Sequence, residues 1–145
     1  MIQRKQTLWL LLAALFSAGV FYFPLYRGYI NVNGTDTLAY LETGKKLFLV
    51  LMAVVMVALP LIAIAMFKNR KRQRSLTSVA MVATIAFIAA AMMQVTPFIE
   101  ETKGIANDSY WIGMVLPFVS LVYLILAMMG IRKDEKLVRS TDRLR

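Results

Sequence analysis

Four apolar stretches, at residues 7–26, 47–67, 79–98 and 110–130, set the terms for this chain. Each approaches the ~20 residues that an α-helix needs to cross the ~30 Å hydrocarbon core of a bilayer. A backbone in hydrocarbon must satisfy its own polar groups, and a helix does so within a single segment. The pattern predicts an all-α integral membrane fold: a four-transmembrane-helix bundle forming one membrane domain over residues 1–145. Of all residues, 59% are apolar, more than a soluble domain of this size can hide beneath a polar surface.

Orientation follows from the cations. Lys68-Asn69-Arg70-Lys71-Arg72-Gln73-Arg74 carries five positive charges in seven residues, between the second and third stretches. Such a segment is the least able to cross a membrane, which assigns the basic loop 68–78 to the cytoplasm. Both termini then lie on the same side, and the inner segments hold thirteen Lys and Arg against four outside. The opening stretch could pass for a signal peptide, yet its apolar run continues beyond the ~7–15 residues of a signal core, so it reads as an uncleaved first span. Tyr22, Tyr26, Tyr110 and Trp111 gather at expected outer ends, where amphipathic rings settle, and Trp9 marks the inner side. In the first outer loop, Asn33-Gly34 between Tyr29–Val32 and Thr35–Leu38 is a two-residue hairpin signal. Asn33-Gly34-Thr35 and Asn107-Asp108-Ser109 fit the short glycosylation sequon, a common pattern of little weight.

The residue inventory narrows the chemistry. The formal net charge is +9, and the chain has no cysteine and no histidine. Thiolate nucleophiles, disulfides and imidazole ligands for zinc or haem are therefore outside its means. No Ser, Lys or carboxylate stands within the apolar stretches at a spacing that pairs a nucleophile with a base. The hydroxyls of Ser17, Thr84 and Ser120 are expected to bond the carbonyl a turn earlier. Ten methionines read as packing filler, since none forms a repeated Met-x-x-Met array. The expectation is a protein without enzymatic activity, cofactor or metal.

Within the third stretch, Ala83, Ala86, Ala90 and Gln94 share one helix face, a small-residue surface suited to close packing, with the amide as an interhelical hydrogen-bonding group. Ala14 and Ala18 form a weaker candidate. Pro60 and Pro117 lie inside spans and free the carbonyls of Met56 and Gly113, which favours kinks. A polar lining at Gln94 would instead suit a small-solute channel or transporter built as an oligomer, but no ionisable residue accompanies it.

Residues 131–145 form a charged cytoplasmic tail. Asp134, Glu135 and Asp142 interrupt its cations, Glu135 and Arg139 stand at i,i+4, and Ile131, Leu137, Val138 and Leu144 mark an apolar stripe. Mixed charge with a stripe resembles a docking helix more than a plain topology anchor, and a helix bound along the anionic headgroups fits the same pattern equally well. The interaction residues expected from this reading are Lys68, Arg70, Lys71, Arg72 and Arg74 of the loop, and Arg132, Lys133, Lys136, Leu137, Val138, Arg139 and Arg143 of the tail. The expected partners are the bilayer, with anionic lipid on the cytoplasmic side, and a cytoplasmic or membrane protein. Nucleic acid is not expected, and oligomeric state is left open.

Three segments resemble a known family. They are Met1-Ile2-Gln3-Arg4 with Gln6-Thr7, Lys68-Asn69-Arg70-Lys71, and Ile131-Arg132-Lys133-Asp134-Glu135-Lys136-Leu137-Val138-Arg139-Ser140 followed by Asp142-Arg143-Leu144-Arg145. The tail is the most specific of the three, and Lys5 and Arg72 depart from the pattern. The chain is similar to small four-span bacterial inner-membrane proteins classed as a domain of unknown function. The resemblance implies a bacterial inner membrane and four helices, and it implies no activity.

Overall fold

Apolar composition fixes where the helices run, and local breakers fix where they stop. The computed structural model describes residues 5–32, 35–67, 69–102 and 106–142, with backbone alone at 31, 32, 36, 106–108 and 136–142. Helix α1 (Lys5–Ala18) continues as a 3-10 turn (Gly19–Phe21). Strands β1 (Tyr26–Val32) and β2 (Thr35–Leu41) follow, then a 3-10 turn (Thr43–Lys45) and α2 (Leu47–Ala65). After α3 (Arg70–Met93) come α4 (Val95–Glu101), β3 (Ala106–Tyr110) and α5 (Ile112–Asp142).

Helices α2, the α3–α4 run and α5 are each long and apolar enough to cross a membrane. The first is shorter than its apolar stretch suggests, because helical structure ends at Phe21 and Tyr26 already lies in β1. Its Lys5–Phe21 run is an apolar helix below the length of the other three.

The all-α expectation needs amending, since a three-stranded antiparallel sheet of order β2-β1-β3 closes one end of the bundle. The β1–β2 hairpin forms as expected, with Tyr26 opposite Leu41 and Val32 opposite Thr35; its turn, at 33 and 34, lies outside the described residues. Strand β3 had no sequence signal. It fills the second edge of β1, with Tyr26 opposite Tyr110 and a bulge between Arg27 and Tyr29. Leu25 ties the sheet to the helices: its N–H donates to the Leu41 carbonyl at 2.8 Å, and its carbonyl accepts from the Trp111 N–H at 3.0 Å.

From Arg70 onward the basic middle segment is helix where a loop was expected. Asn69 caps α3, its side-chain oxygen accepting from the Arg72 N–H at 3.2 Å, so the helix begins at Arg70. At its other end α3 yields to α4 at Gln94. Pro97 lacks the N–H that would bond the Met93 carbonyl and crowds that oxygen, which explains the break. Pro60 and Pro117, by contrast, sit buried within continuous helices.

The interior is layered. Val20, Leu25, Leu49, Ala53, Met56, Phe87, Ala91 and Met114 pack near the sheet end. Below them, Ala13, Ala63, Ala80 and Ala127 bring α1, α2, α3 and α5 together beside Leu10 and Leu124. Small side chains from all four helices meet here, which lets the backbones approach closely. A third cluster, of Tyr26, Leu41 and Val95 with Phe98 and Ile99, seats α4 beneath the sheet.

Candidate functional site at the basic end of the bundle

At the end opposite the sheet, α1 and α3 begin, α2 finishes, and α5 continues past its neighbours. The charged residues here are partly consumed by the fold itself. Gln6 of α1 donates through Nε2 to the Gly130 carbonyl at 3.3 Å and to the Asp134 carboxylate. Gly130 permits this contact, since a Cβ there would lie 2.8 Å from Gln6 Cγ. From α3, Arg70 Nη1 donates to the Asp134 carbonyl at 2.9 Å, and Arg74 Nη1 reaches Glu135 Oε2 at 2.9 Å. Ile131 is completely buried between these contacts. The result is a brace that holds residues 130–135 of α5 against both α1 and α3.

This separates the expected interaction residues into two groups. Arg70 and Arg74 are engaged within the chain, whereas Lys71, Arg72, Arg132 and Lys133 are exposed. Lys136, Leu137, Val138 and Arg139 lie on the α5 backbone beyond the brace. Lys68 and Arg143 lie outside the described residues. Ile131 cannot belong to a partner-facing stripe, because it is spent on the core. Glu135 is engaged by Arg74, while the side chain of Arg139, expected at i,i+4 from it, lies outside the described residues.

The chain matches, over residues 2–144, the family model of a domain of unknown function, DUF4293. The chain belongs to that family. No curated protein and no solved structure matches it. The family match takes in all the helices, the sheet and nearly the whole tail, so the braced end and the sheet end are parts of one family domain.

The α3 face expected to pack closely lies at the edge of the face turned inward. Gln73, Thr77, Ala80, Thr84, Phe87, Ile88 and Ala91 are buried. Ala83 lines a surface groove with Phe48, Leu51, Met52 and Val55, Ala86 is exposed, and Ala90 packs against the upper cluster. Gln94 is half-buried at the α3–α4 junction. Among the hydroxyls, Thr84 bonds the Ala80 carbonyl at 2.8 Å as expected. Ser17 and Ser120 instead meet across α1 and α5 at 2.8 Å, with Ser120 donating to the Ala13 carbonyl at 3.0 Å. Both hydroxyls are satisfied if Ser17 donates to Ser120. Helical spacing within one segment carries no trace of a pair separated this far along the chain.

Aromatic rings gather at the sheet end. Tyr26 meets Tyr110 and Phe98 edge-on at 5.3 and 6.2 Å, and the Arg27 guanidinium lies 3.5 Å from the centre of the Trp111 ring. Lys46 Nζ reaches Glu101 Oε1 at 3.5 Å and links the start of α2 to α4. Among the described residues, no acidic side chains gather in a way that could hold a metal ion.

Proposed function

We propose that this chain is a non-catalytic, four-span protein of a bacterial inner membrane, with the braced end in the cytoplasm, and that its last helix serves as a fixed docking arm. The observation that carries this reading is the continuity of α5 from Ile112 to Asp142, gripped at 130–135 by Gln6, Arg70 and Arg74. At 1.5 Å per residue that helix is about 46 Å long, more than a ~30 Å hydrocarbon core can enclose. Its apolar part ends at Ile131, so the remainder stands beyond the membrane. An interfacial anchor lies in the headgroup plane; a helix that continues a braced span stands out of it. That geometry favours docking of a protein over adhesion to the leaflet.

The four-span arrangement is supported by the length over which α1 follows α5. Gln6 meets Gly130 at one end, the Ala13 carbonyl accepts from Ser120 near the middle, and Gly19 abuts Leu116 towards the other end. As 14 α-helical residues and a three-residue 3-10 turn, Lys5–Phe21 covers about 27 Å, close to one hydrocarbon thickness. The thirteen-to-four excess of cations supports the orientation.

Scrambling residues 136–145 at fixed composition tests the docking reading while sparing the brace. Tail-dependent recovery of a partner in mild detergent is expected to disappear with the scrambled tail. Unchanged recovery and unchanged function would leave the tail as a basic membrane anchor.

A further inference from the structure

Helix α5 carries two parallel rows of residues, one inward and one outward. Pro117, Ser120, Leu124, Ala127 and Ile131 form the inward row, all buried, at alternating steps of three and four. The outward row is Phe118, Val122, Ile125 and Met129, which are 44%, 55%, 41% and 62% exposed. The next step of that row is Arg132, also exposed. Continued along the helix, the same steps reach positions 136 and 139, which are Lys and Arg, and the sequence repeats the interval once more at Arg143. A straight helix drifts only about 20° per heptad from such a row, so 118 to 139 stay within one strip of the surface. Val138 falls instead on the continuation of the inward row.

We infer that the row 132, 136 and 139 is a docking edge for an acidic helical segment of another protein; this rests on the docking reading above. The row leaves the bundle apolar, turns basic at Arg132, and keeps one register throughout. Of the neighbouring acids, Asp134 is bonded by Gln6 and Glu135 by Arg74 in the brace, and Asp142 stands one helical turn beyond position 139. What the row offers is a line of cations at helical spacing, complementary to carboxylates spaced the same way. Anionic lipid is the competing ligand, and height decides against it. On a helix that continues the span, position 139 rises about 10 Å above position 132, more than the ~8 Å Debye length at physiological salt. The leaflet can engage Arg132, but its attraction fades along the row.

The test uses the full chain in nanodiscs of zwitterionic lipid and a labelled helical peptide with Glu at the alternating three- and four-residue spacing, followed by fluorescence anisotropy. Saturable binding is expected, with affinity falling about tenfold in Lys136→Gln/Arg139→Gln and by less than about threefold in Lys71→Gln/Arg72→Gln. An isomeric peptide with its Glu scattered around the helix is expected to bind about tenfold more weakly. Equal binding of the two peptides would overturn the inference. So would tighter binding of a single-stranded oligonucleotide of equal charge, or loss of peptide binding when anionic lipid enters the nanodisc. If no acidic peptide binds while the scrambled tail still abolishes partner recovery, the acidic partner is excluded and the docking reading stands.

Discussion

Ser17, Ser120 and the Ala13 carbonyl form a short hydrogen-bonded chain between α1 and α5, and it is the kind of contact that a bilayer makes worth keeping. Interhelical hydrogen bonds of this type contribute about 0.6 kcal/mol on average, and rarely more than about 2. Ser120→Ala removes both bonds and leaves Ser17 to find another acceptor, so a loss of about 1 kcal/mol in detergent unfolding is expected. Gly113 is under a harder constraint. A Cβ there would stand 2.4 Å from both the Phe23 and the Pro24 carbonyl oxygens, and the Gly113 N–H itself donates to the latter at 3.0 Å. Gly113→Ala must push α5 away from the turn, at a cost of about 1–3 kcal/mol. Gly44→Ala is the control, since nothing lies within 4 Å of a Cβ at that position. Thermal melting of the two variants checks the contrast; equal melting temperatures would show that the turn yields without penalty.

At the scale of elements, the inward face of α3 is the informative one. Ala80 is fully buried among alanines from three other helices, whereas Ala86 looks outward. Ala80→Leu is expected to destabilise the folded chain by about 1–3 kcal/mol, and Ala86→Leu to leave it within about 0.5 kcal/mol. Unfolding in detergent separates them, and the opposite order would mean that Ala86 packs against a further copy. The same face shows what the sequence could and could not convey. Apolar runs mark the spans because hydrocarbon demands them, and Asn33-Gly34 marks the hairpin because its turn needs special backbone angles. A small-residue stripe, however, reads equally well at 83, 86 and 90 or at 77, 80 and 84, and the partner helices choose between them. The start of α3 at Arg70 is legible in Asn69, a favoured N-cap before a run of good helix formers, whereas charge density alone points to a loop. Strand β3 has a polar, unpatterned sequence and is recruited by the open edge of β1. The brace was hidden for a similar reason. Gln6, Arg70 and Asp134 come from three distant segments, and only the packed bundle brings them together.

For the whole molecule, the two ends of the bundle are built differently. The sheet end is closed by β1, β2, β3 and α4 and lined with rings, while the braced end extends into a charged helix. This account depends first on α1 crossing the membrane beside α5. Impermeant thiol labelling of intact cells tests that directly, because the natural chain has no cysteine to confuse the assay. Single cysteines at Lys5, Gly44, Lys71 and Lys133 occupy exposed positions at the two ends of the bundle. The account predicts that Gly44→Cys reacts from outside, and that Lys5→Cys, Lys71→Cys and Lys133→Cys react only after permeabilisation. Labelling of Lys5→Cys together with Gly44→Cys, while Lys71→Cys stays protected, would show that the first helix does not cross and would contradict the four-span account.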